Sequence, residues 1–163
     1  MRAHLEKIVS RETLPALLEK HRQRGERIVL ANGCFDILHV GHIRYLEAAR
    51  QEGDLLVVAV NSDESVRGLK GLGQPILPGR ARAELVAALR AVDYVVLFAD
   101  ANVEALLAEV RPAVHAKGTD YTLDSVPERE TARKLGVRVA IVGDAKRHST
   151  RDLLARLRGT PHA

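Results

Sequence analysis

The alternation of short apolar runs with amphipathic segments most limits the fold available to this chain. Apolar runs that indicate strands lie near 27–31, 55–60, 94–98, 113–117 and 137–142, and helical patterns lie near 41–52, 80–91, 102–110 and 127–135. Continuously apolar strands are typical of a parallel sheet that helices cover on both faces. The predicted fold is therefore α/β, a Rossmann-like doubly wound sheet with right-handed crossovers.

The chain length of 163 residues fits one domain, with 46% hydrophobic residues to form a core. We expect a single domain over 1–163, with a helical extension over 1–26. The apolar stripe of the 80–91 helix should be core, and its members are Leu85, Val86, Leu89 and Val92. A last helix should begin at Ser149 or Thr150, either of which can cap it, and should bury Leu153, Leu154 and Leu157.

Composition narrows the function classes. No apolar stretch approaches the ~18 residues that span a bilayer, and the N-terminus lacks a signal-peptide core, so we expect a cytoplasmic protein without a membrane partner. The single cysteine excludes an internal disulfide and a multi-cysteine zinc site. The net charge of +4 arises from basic residues that alternate with acidic ones, and the chain has only three tyrosines and two phenylalanines. We therefore predict no nucleic-acid partner.

The stretch Asn32–His42 reads N-G-C-F-D-I-L-H-V-G-H and directly follows the first predicted strand. Ligands of open α/β sheets gather at the carboxyl ends of strands, where a turn into a helix offers backbone N–H groups to phosphate. His39 and His42, three residues apart at a helix start, can face the same side, and Gly41 permits close approach of a ligand. Two histidines at this spacing can also share zinc, but zinc needs further ligands that no pattern here supplies.

This stretch resembles the nucleotidyltransferases marked by H-x-G-H, and the longer match to G-C-F-D-x-L-H-x-G-H is similar to their cytidylyltransferase-like branch. Further motifs follow in the order seen in heptose 1-phosphate adenylyltransferases, which make ADP-heptose for bacterial lipopolysaccharide. These motifs are Asn61–Asp63, Val66–Gly71, Pro75-Ile76, Arg82–Glu84, Ala91–Asp93 and Lys117–Tyr121. The resemblance covers nearly the whole chain, including a leading helix within Lys7 to Arg27.

The resemblance implies transfer of AMP from ATP to a sugar 1-phosphate, with Mg²⁺ bridging the leaving phosphates. It also implies a separate kinase that supplies the sugar 1-phosphate, and we expect a homodimer.

Two alternatives to this function stay open. One is a CTP-dependent cytidylyltransferase that acts on glycerol 3-phosphate or a related alcohol phosphate. The other is a nucleotide-binding module without catalytic activity.

The resemblance also assigns site residues. The catalytic candidates are His39, His42 and Lys70, the last in a glycine-flanked stretch that we expect to be mobile. The nucleotide-binding candidates are Gly33, Cys34, Phe35, Gly41, Lys117, Gly118, Ser149 and Thr150. The substrate-binding candidates are Asp36, Arg82 and Asp120.

Each assignment competes with a structural role. Asp36 can shape its loop through an Asx turn, Cys34 can be a small packing residue, and Lys70 can simply be solvated. The chain also departs from the family pattern at Ala81, Thr119 and His148, which leaves the exact sugar open.

Overall fold

Five parallel strands form one sheet in the computed structural model, which describes residues 3–145 and 150–157. The strands are β1 (Ile28–Gly33), β2 (Leu55–Asn61), β3 (Tyr94–Phe98), β4 (Val114–Gly118) and β5 (Arg138–Val142). Their order across the sheet is β3-β2-β1-β4-β5. The central strand is β1, with β2 and β3 added on one side of it and β4 and β5 on the other. The predicted doubly wound α/β sheet is confirmed.

The connections between strands are helical. The helices are α1 (Leu14–Gln23), α2 (Val40–Gln51), α3 (Asp63–Lys70), α4 (Gly79–Ala87), α5 (Glu104–Val110), α6 (Arg129–Lys134) and α7 (Thr150–Leu157). A short 3-10 helix, Ala3–Lys7, precedes α1.

The sheet separates two hydrophobic clusters because successive strand side chains point to opposite faces. Along β2, one cluster takes Leu56, Val58 and Val60, and the other takes Leu55, Val57 and Ala59. Helices α2 and α4 cover the first face, while α1, α5 and α6 cover the second. Every residue of β2 is buried, which explains its uninterrupted apolar run.

The N-terminal segment is fastened to the edge of the sheet. Ile8 forms an isolated parallel bridge with Val95 of β3, and the Val9 N–H donates to the Val95 carbonyl at 2.9 Å. Lys7 Nζ also donates to the carbonyl of Val92 at 2.7 Å. The segment that we predicted as a helical extension therefore covers the β3 edge before α1 begins.

Two predicted helix boundaries were wrong, as was the predicted burial of Leu85 and Leu157. The 80–91 helix ends at Ala87, and Leu85 is 44% exposed, whereas Val86 and Val92 are buried. The 127–135 helix is limited to Arg129–Lys134. In α7, Leu157 is 80% exposed, so this residue does not join the core.

The glycine-flanked stretch that carries Lys70, for which we predicted mobility but no helix, belongs to α3. The Ser62 side chain caps α3 by accepting from the Ser65 N–H at 3.2 Å. Asp63 and Glu64 in the first turn favour the positive end of the helix dipole. Lys70 is the last residue of α3, and Gly71 follows it with a φ of 89°.

Among the described helices of the chain, none is long and apolar enough to cross a bilayer.

Candidate active site

An open cleft of about 1270 Å³ lies at the carboxyl edge of the sheet. The loop from β1 into α2 forms its centre and contributes the residues between Asn32 and Tyr45 that line it. We call one side the β2–β3 wall, formed by Asn61, Leu69, Lys70, Gln74, Phe98, Ala101, Asn102 and Val103. The opposite side, the β4–β5 wall, consists of Lys117–Tyr121, Pro127, Glu128, Val142–Ala145, Leu154 and Ala155. The volume suits two small ligands placed side by side.

The two histidines stack at the start of α2 in the centre of the cleft. Their ring centroids are 3.9 Å apart, and the ring planes differ by 26°. His39 is the N-cap, and its Nδ1 accepts from the Gly41 N–H at 3.2 Å. His42 Nδ1 in turn accepts from the His39 N–H at 3.4 Å. Since both Nδ1 atoms act as acceptors, each neutral ring carries its proton on Nε2, as a donor.

This cap also uses backbone N–H groups at the start of α2, where we predicted that such groups bind phosphate. The N–H of Gly41 donates to the His39 ring, and the N–H of His42 donates to the His39 carbonyl at 2.9 Å. The first-turn N–H groups of Gly41 and His42 are therefore already used. The remaining candidate donors to phosphate at this helix start are the two histidine rings.

The loop before the histidines is shaped by Gly33 and Phe35. A Cβ on Gly33 would lie 3.1 Å from the Phe35 ring, so only glycine leaves the ring its full space. Phe35 has a φ of 48°, is buried, and its ring centroid lies 5.4 Å from that of His42. Phe35 thus supports the His42 ring from the core side, while the backbone of the loop lines the cleft.

Asp36 and Arg82 are both buried, and the structure gives them partners within the protein. The two carboxylate oxygens of Asp36 accept from the N–H groups of Ile76 and Leu77, at 2.7 and 2.8 Å. These contacts join the loop to a distant segment and are not those of an Asx turn, and the substrate-binding role of Asp36 stays a prediction.

Arg82 is completely buried and donates from three guanidinium nitrogens. Its acceptors are the carbonyls of Leu77 at 3.0 Å and Cys34 at 2.6 Å, and the Asp63 carboxylate at 2.7 Å. We expected Arg82 to bind substrate, but in this conformation its donors hold the loop and α3 together. The reason is that Arg82 lies on the buried face of α4, together with Ala83 and Val86.

Lys70 and Cys34 both line the cleft. Lys70 is exposed and lines the β2–β3 wall at the end of α3, where its ammonium can approach a bound phosphate. Burial raises the pKa of the Cys34 thiol, against smaller opposing effects of Lys70 and Arg82. A protonated thiol that contacts Asn61 at 3.8 Å fits the packing role that we preferred for this cysteine.

A polar network lies under the β4–β5 wall. Lys117 and Glu128 are each 5% exposed, and the ammonium Nζ lies 3.4 Å from Glu128 Oε2. The same ammonium lies 3.5 Å from Asn32 Oδ1 and 4.5 Å from the centroid of the Tyr121 ring. Burial lowers the pKa of Lys117, while Glu128 acts in the opposite direction.

His115 completes this network from the core. Its Nε2 donates to Asn32 Oδ1 at 3.0 Å, and burial together with the Lys117 charge lowers its pKa to about 3. His115 is therefore neutral near pH 7 and fixes the orientation of the Asn32 amide. Sequence reasoning missed Asn32, His115 and Glu128 as parts of the site, because the contacts depend on how β1 and β4 pair.

The remaining candidates lie at the rim. Gly118 ends β4, Asp120 is exposed in the loop that follows, and both line the cleft. The Thr119 hydroxyl donates to the Asp144 carbonyl at 2.7 Å, which joins the ends of β4 and β5. Ser149 lies outside the described residues. Thr150 is the first residue of α7, but its side chain is likewise outside the description.

The described residues contain no cluster of three or more histidine, cysteine or acidic side chains that would hold a metal ion. The acidic residues of the cleft are instead engaged, as Asp36 is with backbone N–H groups and Glu128 with Lys117. Among these described residues, the zinc alternative for His39 and His42 therefore finds no cluster that supplies a third ligand.

The fold and the stacked histidine pair define a nucleotidyltransferase-type site. A family model described as cytidylyltransferase-like matches residues 30–153. The chain belongs to this cytidylyltransferase-like family, which confirms the resemblance drawn from its motifs.

Relatives and solved structures agree with this assignment. The bifunctional protein HldE of Pelobacter propionicus is 45% identical over 151 residues, which cover 93% of this chain and 31% of the relative. HldE of Alcanivorax borkumensis is also 45% identical, over 93% of this chain and 32% of its own length. The chain therefore spans about a third of these curated relatives.

Among solved structures, a lipopolysaccharide core biosynthesis protein from Thermoplasma volcanium has a TM-score of 0.66 and 32% identity, over 75% of this chain and 100% of its own. Pantothenate synthetase from Thermus thermophilus has a TM-score of 0.63 and 23% identity, over 90% of this chain and 67% of its own. The second likeness shows the fold alone.

Proposed function

We propose that this chain is an adenylyltransferase that transfers AMP from ATP to heptose 1-phosphate and releases pyrophosphate. The observation that carries the proposal is the stacked pair of His39 and His42, whose Nδ1 atoms accept from backbone N–H groups. Each ring then carries its proton on Nε2, and both residues line the cleft. The heptose assignment is supported by the motif order and by the solved relative named for lipopolysaccharide core biosynthesis.

In the proposed reaction, a phosphate oxygen of heptose 1-phosphate attacks the α-phosphorus of ATP. A new P–O bond forms, the bond between the α-phosphorus and the bridging oxygen breaks, and pyrophosphate leaves with that oxygen. No protein nucleophile is needed, because a phosphate monoester is largely ionised at neutral pH. The task of the protein is to align the two phosphates and to stabilise the charge that develops between them.

The described residues can divide this task. The Nε2–H groups of His39 and His42 donate to the phosphate oxygens of the nucleotide, and such donors commonly contribute about 10²–10³ in rate. Lys70, exposed at the end of α3, adds a cation from the β2–β3 wall. Mg²⁺ enters with ATP as part of the substrate and neutralises charge on the leaving phosphates.

Further parts of the proposal concern the cellular setting. A separate kinase would supply the sugar 1-phosphate, the protein would act in the cytoplasm, where ATP is abundant, and two chains would form a homodimer. Light scattering of the purified protein tests the dimer directly.

The decisive experiment measures pyrophosphate release in mixtures that contain the protein, Mg²⁺ and either ATP or CTP. Each nucleotide is tested alone and together with heptose 1-phosphate or glycerol 3-phosphate. We expect release only with ATP and heptose 1-phosphate, and a His42→Ala variant should abolish it. Release only with CTP and glycerol 3-phosphate would replace the proposal with the cytidylyltransferase alternative. Nucleotide binding without release from any pair would favour a module without catalytic activity.

A further inference from the structure

The buried pair of Lys117 and Glu128 is difficult to explain as a stabilising element. Both side chains are about 6% exposed, and the ammonium and carboxylate are 3.4 Å apart. Strong charge-assisted hydrogen bonds of this kind are shorter, at about 2.7–2.9 Å. Buried ion pairs of ordinary geometry often contribute less to stability than apolar residues of similar volume would. A pair with long contacts, beside a ligand cleft, therefore points to a role in binding.

The position of the pair supports that role. Lys117 is the residue of β4 just beyond the last register pair, Ala31 and Ala116, so it lies beside Asn32 where β1 turns toward the histidines. Both Lys117 and Glu128 line the β4–β5 wall. Lys117 thus lies at the carboxyl edge of the sheet, beside the cleft, although nearly all of its surface is buried.

The surroundings of Lys117 hold its ammonium in place but leave it capacity to bind. An ammonium has three N–H donors, and among the described residues its acceptors are Glu128 Oε2 and Asn32 Oδ1, at 3.4 and 3.5 Å. The Tyr121 ring lies under the ammonium at 4.5 Å and adds a favourable cation–π contact. His115 holds Asn32 from the other side.

The chemistry of the wall selects the ligand. Besides the Tyr121 ring next to the ammonium, the β4–β5 wall presents the apolar residues Val142, Leu154 and Ala155. A flat aromatic ring and aliphatic groups suit a nucleoside base, and a desolvated cation suits its phosphate oxygens.

We infer that Glu128 is a positioning residue that keeps Lys117 charged and oriented toward a nucleoside triphosphate bound against the β4–β5 wall. Without Glu128, the lysine would be a buried cation with only an amide oxygen as a polar partner. Such a group loses its proton readily or turns away toward solvent. Nucleotide affinity would then fall even though Glu128 itself contacts no nucleotide.

The first test compares ATP binding by calorimetry, with Mg²⁺ present, for the wild type, Glu128→Gln and Glu130→Gln. Glu130 is a matched control, because it lies in α6, pairs with Arg133 at 3.0 Å, and is exposed outside the cleft. We expect the Kd for ATP to rise about tenfold in Glu128→Gln, equivalent to about 1.4 kcal/mol, and to stay unchanged in Glu130→Gln. Equal Kd values for Glu128→Gln and the wild type would overturn the inference.

A double variant separates binding from folding. Lys117→Met combined with Glu128→Leu removes both charges and keeps the volume, so its Tm should equal or exceed that of the wild type. We expect this folded variant to bind ATP at least as weakly as Glu128→Gln. If the double variant binds ATP as well as the wild type, the pair has only a structural role.

The pH dependence gives a second readout. The titratable groups around Lys117 are Glu128, His115 on its own strand, Tyr121 in the following loop and Tyr45 of α2. Of these, Glu128 raises the pKa of Lys117, so its loss should bring deprotonation of the lysine to lower pH. ATP binding to Glu128→Gln should therefore weaken at a lower pH than ATP binding to the wild type. Parallel profiles for the two proteins would contradict the inference.

The inference rests on the proposed function only in taking a nucleoside triphosphate as the ligand. A wild type that binds ATP but releases no pyrophosphate with heptose 1-phosphate would refute the proposed function. In that case, a weaker binding of ATP by Glu128→Gln would still support the positioning role.

Discussion

Asp36 and Arg82 hold the same residue, Leu77, by the two polar atoms of its backbone. Asp36 Oδ1 accepts from the Leu77 N–H at 2.8 Å, and Arg82 Nε donates to the Leu77 carbonyl at 3.0 Å. Arg82 also donates to the carbonyl of Cys34, in the loop that leads to the histidines. The segment after α3 and the loop after β1 are thereby fixed to each other.

Replacement of Arg82 by methionine should destabilise the protein substantially. Arg82 is fully buried, and its loss leaves two carbonyls and the Asp63 carboxylate without their donor. We expect the free energy of unfolding to fall by about 3 kcal/mol, measured by urea denaturation. Arg80→Met, at an exposed position of the same helix, should change it by less than about 0.5 kcal/mol. Equal effects of the two substitutions would contradict the role assigned to Arg82.

Substitutions of His39 should separate its two roles. His39→Ala removes the N-cap of α2 and should cost about 1 kcal/mol of stability. Asparagine is a good N-cap, so His39→Asn should recover most of that loss. Neither variant has the Nε2–H donor, so pyrophosphate release should fall about 10²–10³-fold in both. Thermal unfolding and turnover are measured on the same samples, and recovery of activity in His39→Asn would count against the catalytic role.

Substitution of Lys70 should affect turnover without affecting folding. Lys70 is exposed at the end of α3 and lines the cleft, so Lys70→Met should lower kcat about 10²-fold with little change in Tm. Arg67→Met is the matched control, because Arg67 is an exposed cation of the same helix that does not line the cleft. A similar loss in both variants would indicate a general effect of charge.

The buried His115 should make the protein less stable in acid. Burial lowers its pKa from 6.5 to about 3, so between these values the unfolded chain binds a proton that the folded protein does not. Stability should therefore decrease as pH falls below about 6.5, by up to about 1.4 kcal/mol per pH unit from this group.

The measurement compares urea denaturation at several pH values for the wild type and His115→Gln. Glutamine can still donate to Asn32 but does not titrate, so its curve should be flatter between about pH 6 and 4. Curves of the same slope would show that His115 is not the group responsible.

The sequence allowed the parallel sheet and the position of the histidine pair to be predicted, because both depend on local patterns. The apolar run of β2 and the motif from Asn32 to His42 are continuous in sequence. The family resemblance, confirmed by the match over residues 30–153, came from the same motifs. The roles of the site residues themselves stay predictions until the variants are assayed.

The contacts that were missed depend on distant parts of the chain. Asn32 and His115 are 83 positions apart, and only the pairing of β1 with β4 brings them together. Arg82 was assigned to substrate binding because it matches the arginine of the family at this position, yet α4 packs with this position inward. The helix that carries Lys70 was missed because Gly68 and Gly71 resemble loop residues, whereas the Ser62 cap favours a helix.

The central place of β1 has an evolutionary consequence. The reacting groups follow this strand, whereas the walls of the cleft come from strands on its two opposite sides. If the nucleotide binds against the β4–β5 wall as proposed, substitutions in the β2–β3 wall leave the hydrogen bonds around Lys117 intact. Selection can then change one side of the cleft without changing the other side or the histidine pair between them.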